Sequence, residues 1–430
     1  MAARVRRDPR NGGYSGMVKL IKKGVYYTEG RIVKEAQAFF TSDKKEAAVK
    51  NTLSYAILKA HNAGDEENLR IRFDAIASHD ITYVGIIQTA KASGLKEFPI
   101  PYTLTNCHNS LCAVGGTINE DDHVFGLSAA KKYGGDYVPA HIAVIHQYMR
   151  ECAAKCGAMI LGSDSHTRYG ALGTMAVGEG GPELVKQLLR QTYDVKRPPV
   201  IAVYLKGKLR KGVGPQDVAL ALVKATFASG FVKNKILEFV GPGIANLSMD
   251  YRIGIDVMTT ETTCLSSIWE TDEKTQEYFR IHGREGDYKK LTVTQPAYYD
   301  GAVVIDLSRV EPMIALPFHP SNAYTIREFL ENPVELLKKA EEQGRKLKGD
   351  DSFTLTDKVK DGKVYVDQGV IAGCAGGGYE NVAEAAEILR GRSVGTGEFA
   401  LSVYPASQPV YKALTEGGYV GTLMEAGAVV

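Results

Sequence analysis

No apolar run in this 430-residue chain approaches the ~18 consecutive residues that would read as a membrane-crossing helix. Charge of one sign is missing as well. Lys and Arg total 52, Asp and Glu total 50, and the net charge is +2. So balanced a chain has no general electrostatic attraction to nucleic acid or to an anionic membrane surface. There is no Cys-x-x-Cys pair, no Gly-Lys-Ser/Thr that would make a P-loop, no Gly-x-Gly-x-x-Gly and no His-x-x-x-His. Short repeats and low-complexity segments are absent too. Cysteines number six (107, 112, 152, 156, 264 and 374). A chain this long does not need disulfide staples, so the thiols are expected reduced. Cys152 and Cys156, four apart in a helical stretch, read as buried small residues. The N-terminus is basic (Arg4, Arg6, Arg7, Arg10) but has no apolar core behind it, unlike a secretory signal. Asp8 and Asn11-Gly12-Gly13 break a transit-peptide pattern. We read a short solvated arm on a cytoplasmic protein, with the mitochondrial matrix as the alternative.

What is present is an ordinary globular composition, 44% hydrophobic and 24% charged, sized for roughly two to four domains. Glycine is high at 45 residues. In an average chain that excess points to many tight strand-to-helix turns, where backbones approach ligands. Strands and helices alternate. Residues 144–155 read as a helix, 158–162 as a buried strand, 163–167 as a polar turn, and 170–181 as a Gly-rich stretch. Pro182 and Glu183 open a helix over 184–190. Residues 200–206 and 236–240 read as strands and 215–228 as a helix. This rhythm predicts an α/β fold with mostly parallel sheets covered by helices.

Seams are expected near 205, in a basic Gly-bearing stretch, and near 310. The three prolines of 311–325 argue against regular structure there. The division is then 1–205, 206–310 and 311–430, three α/β/α domains around a common cleft. Helices over 408–416 and 420–425 lead into an apolar stub, 426–430, that reads as the start of a buried strand.

Three constellations carry chemistry. Six of the nine histidines (His79, His108, His123, His141, His146, His166) fall between 79 and 166. Each alone reads as a surface or hydrogen-bonded core histidine, but histidine is also the usual proton carrier near neutrality. Ser163-Asp-Ser-His-Thr167 follows a predicted buried strand, at the end where open α/β sheets bind ligands. A helix cap explains Ser163 or Asp164 but not His166. Second, Gly373-Cys-Ala-Gly-Gly-Gly-Tyr-Glu380 lies between a strand (364–373) and a helix (381–389). Helix N–H groups there are expected to lower the Cys374 thiol, and the alternative is a tight turn with a buried cysteine. Third, Glu261 stands alone among four threonines, Thr259 to Thr263, where an exposed loop is the plain reading.

Together these segments resemble the aconitase superfamily of iron–sulfur hydro-lyases. Val144-Ile-His-Gln147, Leu161-Gly-Ser-Asp-Ser-His-Thr167 and Gly178-Glu-Gly-Gly181 match its I-H-Q, G-T/S-D-S-H-T and G-x-G-G patterns in order. Ala372-Gly-Cys-Ala-Gly-Gly-Gly-Tyr-Glu380 is similar to its G-S-C-T-N-S-S-Y-E turn. The resemblance runs from about residue 70 to the end. It implies hydration and dehydration of a hydroxy di- or tricarboxylic acid through a [4Fe-4S] cluster. His108 would be the acid, His146 would pair with Asp164, and His166 with Glu261. Ser165 and His79 would contact substrate, and Cys374 would be the first of three cluster ligands. Isopropylmalate- or homoaconitate-type isomerases are the close variants.

This chain also departs from the family pattern. Cys107 stands where the family has aspartate before the acid histidine, and His79 where it has glutamine or histidine. Val257 replaces an asparagine, and Ala and Gly replace the polar residues around Cys374. A branch with a different substrate or a decayed activity is expected. The family's C-G-P-C segment, with two further ligands, would lie beyond Val430, and its swivelling fourth domain, in the same chain or a separate subunit, is the expected partner. This chain alone is then expected to hold no cluster and to be inactive. Two other classes compete. One is a cluster-free RNA-binding member, supported only by the basic stretch 206–211. The other is a zinc hydrolase, which the five-residue spacing of His141 and His146 fits poorly.

Overall fold

The computed structural model describes residues 16–38, 42–108, 117–395 and 397–430. The basic arm at Arg4–Arg10 and Cys112 lie outside them. Two five-stranded sheets organise the chain. In chain order their strands are Val18–Ile21 (β1), Ala75–His79 (β2), Tyr102–Thr105 (β3), Asp136–Val138 (β4), Met159–Gly162 (β5), Met175–Gly178 (β6), Val200–Lys206 (β7), Ile236–Val240 (β8), Ser266–Trp269 (β9) and Gly301–Asp306 (β10). The first sheet has the order β4-β3-β2-β5-β6 and is parallel throughout. The second has the order β1-β10-β7-β8-β9 and is parallel except for β1. The α/β expectation is met.

The reason lies in the runs themselves. Every residue of β3, β5, β8 and β9 is buried, as strands covered on both faces require. Ile76 and Leu161 enter one core with Tyr83, Ile86 and Ile87 of the helix Asp80–Ala92. Ala77 and Ile160 point the other way, to a core shared with Ile145, Met149 and the second sheet. The odd member is Glu238, fully buried in β8. It accepts from Leu53 N (3.0 Å), Ser54 N (2.8 Å), Ser54 Oγ (2.6 Å) and Tyr299 Oη (2.8 Å). Burial still pushes this carboxyl up against those hydrogen bonds, and the group anchors the start of the helix Leu53–His61.

Helix Gly181–Leu188 carries the expected Pro182 in its first turn, and helix Pro215–Thr226 falls within the expected 215–228. β6, inside the Gly-rich stretch, was hidden by that composition. β7 runs across the seam expected near 205 and is hydrogen-bonded into the second sheet. The region 311–325 is not irregular. Met313–Ala315 and Ala323–Thr325 pair antiparallel, and Pro312, Pro317 and Pro320 fall outside both strands, so no ladder donor is lost. Asp217 ties this hairpin to its neighbour by accepting from Met313 N (2.6 Å).

The last part of the chain carries Gln368–Ile371 parallel to Ala400–Val403, a strand shorter than the 364–373 expected. Helices Tyr379–Leu389, Gln408–Glu416 and Tyr419–Glu425 cover them. The stub at 426–430 does pair, with Val429 bridging Ser402. It is not wholly buried: Ala428 is in the core and Val429 is exposed. Among the described residues, no helix is long and apolar enough to cross a membrane.

Candidate functional site

The site forms where three adjacent strands of the first sheet end. β2 ends on His79. His108 follows β3 by three residues, and Asp164 follows β5 by two. The loop after β5 folds back tightly on the strand ends. A Cβ at Gly162 would run into Thr167, and one at Gly178 into the Asp164 carbonyl oxygen. Part of the glycine excess is thereby accounted for.

Asp164 is the hub. Its Oδ1 accepts from His146 Nε2 (2.7 Å) and from the backbone N–H of His166 (2.7 Å). Its Oδ2 lies 2.9 Å from His108 Nε2 and 3.7 Å from His79 Nε2. His146, on the helix Ile145–Cys152, is 1% exposed, and its Nδ1 is 3.1 Å from Tyr169 Oη. Because Nε2–H is spent on the carboxylate, the neutral ring takes the tyrosine hydroxyl as donor to Nδ1. His79 stacks on His108 with ring centroids 4.1 Å apart. His166 Nε2 is 3.2 Å from Glu261 Oε1, on the single-turn segment Met258–Thr262. Thr260 Oγ1 donates to the Ser165 carbonyl (2.6 Å), holding the two loops together. The Ser165 side chain is exposed in the same loop.

These contacts set the charges. Burial acts to raise the Asp164 carboxyl, but hydrogen bonds from His108, His146 and His166 outweigh it and hold it well below the usual carboxylate range. His166, bonded to Asp164 and then Glu261, is raised to about 9. Glu261 is lowered in return, first by His166. Burial lowers His79 and His146 to about 4 each, the neighbouring His108 adding to it at His79 and Asp164 opposing it at His146. At neutral pH the network stores a proton on His166 and keeps His79 and His146 uncharged.

Of the six clustered histidines, His79, His108, His146 and His166 gather round Asp164. His123 stands behind them, its Nε2 3.1 Å from Asp80 Oδ2. His141 turns to Cys107, whose Sγ accepts its backbone N–H (3.2 Å). With a thiol at 107, His108 pairs with Asp164 instead. Sequence reasoning missed His319. It lies in the proline-bearing segment read only as a seam, yet stacks on Phe227 (3.7 Å) with its Nε2 3.8 Å from Glu261 Oε2.

Cys374 sits on the one-turn helix Gly373–Gly376, and Arg150, 1% exposed, donates to its carbonyl (3.3 Å). The expectation of a lowered thiol is overturned. Burial pushes it up, with Arg150 opposing, because a single turn supplies too little dipole to offset desolvation. Cys152 and Cys156 are not buried either: Cys152 is exposed and Cys156 half-buried, since the helix stops at Cys152. An iron–sulfur cluster is held by several thiolates. Among the described cysteines, Cys107, Cys156 and Cys264 bond elsewhere, to His141 N, Leu172 O and Thr259 O. With Cys107, next to His108, turned to His141 N, and Cys374 one thiol on its own turn, the described cysteines do not by themselves make a cluster's ligand set.

The ends of a parallel α/β sheet thus bring several imidazoles onto one half-buried carboxylate, an arrangement that can hold and pass protons. The chain belongs to the aconitase family: the family model described as aconitate hydratase matches residues 55–430. It is 33% identical over 276 residues to the 3-isopropylmalate dehydratase large subunit of Moorella thermoacetica, covering 64% of this chain and 57% of that protein. It is 28% identical over 381 residues to the mitochondrial aconitate hydratase of Schizosaccharomyces pombe (84% and 45%). It is 32% identical over 275 residues to the 2,3-dimethylmalate dehydratase large subunit of Eubacterium barkeri (64% and 57%). The chain spans about half the length of these relatives.

Proposed function

We propose that the chain forms the histidine-bearing part of a hydro-lyase that removes water from, and returns it to, a hydroxy di- or tricarboxylic acid in the cytoplasm. The observation that carries this is Asp164 bonded to His146 and His108 beside the His166–Glu261 pair. Dehydration needs an acid that protonates the departing hydroxyl and a base that takes the proton from the neighbouring carbon. His108, whose side chain is 28% exposed, is the acid. His166, charged at neutral pH between two carboxylates, is the proton store, and His146 holds Asp164 in place. Ser165 and His79 contact the substrate. Cys374 is proposed as one ligand of a [4Fe-4S] cluster, which when bound supplies a Lewis acid, with its other thiolates and a swivelling domain coming from outside the described residues. The RNA-binding reading is weakened by two of its basic residues, Lys206 and Arg210. Lys206 pairs with Asp306 (3.0 Å) and Arg210 donates to the Val310 carbonyl (3.0 Å).

The test is turnover of citrate, isocitrate and 3-isopropylmalate by the anaerobically reconstituted protein together with its swivelling domain, followed by ultraviolet absorbance of the unsaturated acid. Turnover abolished in His108→Gln and Asp164→Asn supports the reading. Turnover retained in both variants, or no turnover of any such acid, refutes it.

A further inference from the structure

Three potential ligands at the strand ends carry more than a hydrogen-bond network. One atom each of His79, His108 and Asp164 lies within 4.8 Å of the others, the one such grouping of three or more among the described residues. They come from three neighbouring strands, β3, β2 and β5, so the sheet itself fixes their spacing. We propose that this chain binds one divalent transition-metal ion, of the zinc type, through His79, His108 and Asp164. The inference goes beyond the hydro-lyase reading and does not depend on it.

The distances fit. Ligand atoms of one tetrahedral zinc sit ~3.3 Å apart, given metal–ligand bonds of ~2.0–2.1 Å. Asp164 Oδ2 to His108 Nε2 is 2.9 Å and to His79 Nε2 is 3.7 Å. These two values bracket that spacing, and the third edge, between the His79 and His108 nitrogens, lies within 4.8 Å, so an ion is admitted when the two stacked rings tilt toward each other.

His79 supplies the second observation. The ring is 3% exposed, and its Nδ1 is buried without a hydrogen-bond partner. Nδ1 faces Asp80 Oδ1 at 3.9 Å, and Asp80 is in turn held by His123. With the proton on Nδ1, facing that carboxylate, the Nε2 lone pair is directed at the Asp164 oxygen. Two electron pairs that face each other call for a cation between them. Carboxylate-oriented imidazole is also how protein metal ligands are commonly held. Asp164 is anchored in the same way, with Oδ1 bound by His146 and the His166 amide while Oδ2 stays turned to the two rings. Two imidazoles and one carboxylate suit zinc or ferrous iron better than calcium or magnesium. Three protein ligands leave a position open, the pattern of a reactive rather than a structural zinc site.

A bound ion and a proton on His108 exclude one another, so this site and the acid role of His108 are alternative states of one corner. The experiment uses the full chain, stripped with a chelator and not reconstituted with iron and sulfide. Zn(II) is titrated in competition with a chromophoric chelator, and Co(II) is added in parallel for its visible spectrum. The expected result is one Zn(II) per chain and cobalt bands of nitrogen–oxygen coordination without thiolate charge transfer. His79→Phe and His108→Phe keep the stacked rings but remove the ligands. They should weaken Zn(II) by more than the ~10–100-fold that loss of a supporting partner costs. Cys374→Ser should leave stoichiometry and affinity unchanged. No Zn(II) uptake, unchanged affinity in both Phe variants, or a thiolate band lost in Cys374→Ser would overturn the proposal. The wild-type cobalt spectrum decides even if a variant fails to fold. Metal content reads this inference and acid turnover reads the hydro-lyase proposal, so either can fail alone.

Discussion

Asp164→Asn is the most informative single change, and its main effect should appear on another residue. His166 is raised to about 9 because its ring faces Asp164 first, Nδ1 lying 3.6 Å from Oδ1, and Glu261 second. The amide keeps the shape but removes one of the two charges. His166 should then titrate well below 9 yet above the ordinary 6.5, since Glu261 remains at 3.2 Å. The same shift is a stability term. A histidine raised from 6.5 to about 9 favours the folded imidazolium by about 3 kcal/mol. Its side chain is 33% exposed, so solvent screening cuts the usable share to about 2 kcal/mol. Because the folded value lies above the unfolded one, this stability is fully present below 6.5 and lost as pH rises from 6.5 through about 9. Wild type should therefore lose roughly 2 kcal/mol of unfolding free energy across that window, and Asp164→Asn clearly less. Imidazole resonances read by NMR against pH, with urea unfolding at matched pH values, measure both. A wild-type His166 that titrates near 6.5, or an unchanged value in Asp164→Asn, would refute the argument.

The opposite sign applies to His79 and His146, lowered to about 4. Their share of stability is present above 6.5 and is lost as pH falls toward 4, so urea midpoints should decline over that range, less so in a His79→Phe variant. Glu238→Ala strips the acceptor from two buried amides and two hydroxyls. It should destabilise by about 3–5 kcal/mol in urea unfolding, and a loss under 1 kcal/mol would contradict the anchoring role. Anaerobic reconstitution with iron and sulfide should leave this chain colourless by visible absorption, since its described residues bring no set of cysteines together at the site; about four irons per chain would overturn that reading.

Much of the fold was legible because parallel strands covered on both faces read as unbroken apolar runs: 200–206 and 236–240 match residue for residue. β6 was not, because Met175–Gly178 is four residues set among glycines, and only pairing with β5 makes it a strand. The 311–325 hairpin was missed because proline was weighed by count, when its position in the turn is what matters. In the site, the residues of the Ser163–Thr167 turn carried a motif and were found. His319 carries none, and it reaches Glu261 only through the packing of a distant hairpin on Phe227. That His108 would turn to Asp164 was legible only in part: Cys107 showed that the usual partner was missing, not where the ring would go. Cys374 lies on the expected turn, but its electrostatics were misjudged, because sequence does not tell how long a helix turn runs.

The charge count at the strand ends joins these observations. Asp164 and Glu261 carry two negative charges, and His166 returns one positive. His79 and His146 are held neutral. Arg150 and Arg168, buried cations of this face, direct donors to the carbonyls of Cys374, Arg168, Thr167 and Cys264 rather than to Asp164. The Asp164 carboxylate, whose side chain is 10% exposed, is therefore held by its hydrogen bonds and not by a cation in contact with it. Its Oδ2 faces either a His108 N–H or, on the proposal above, a cation between His79, His108 and Asp164. The first state is an acid ready to protonate a leaving hydroxyl, and the second is a metal site with an open position. On the two proposals, acid and ligand fall on the same imidazole, so the choice between them depends on whether a divalent ion is at hand.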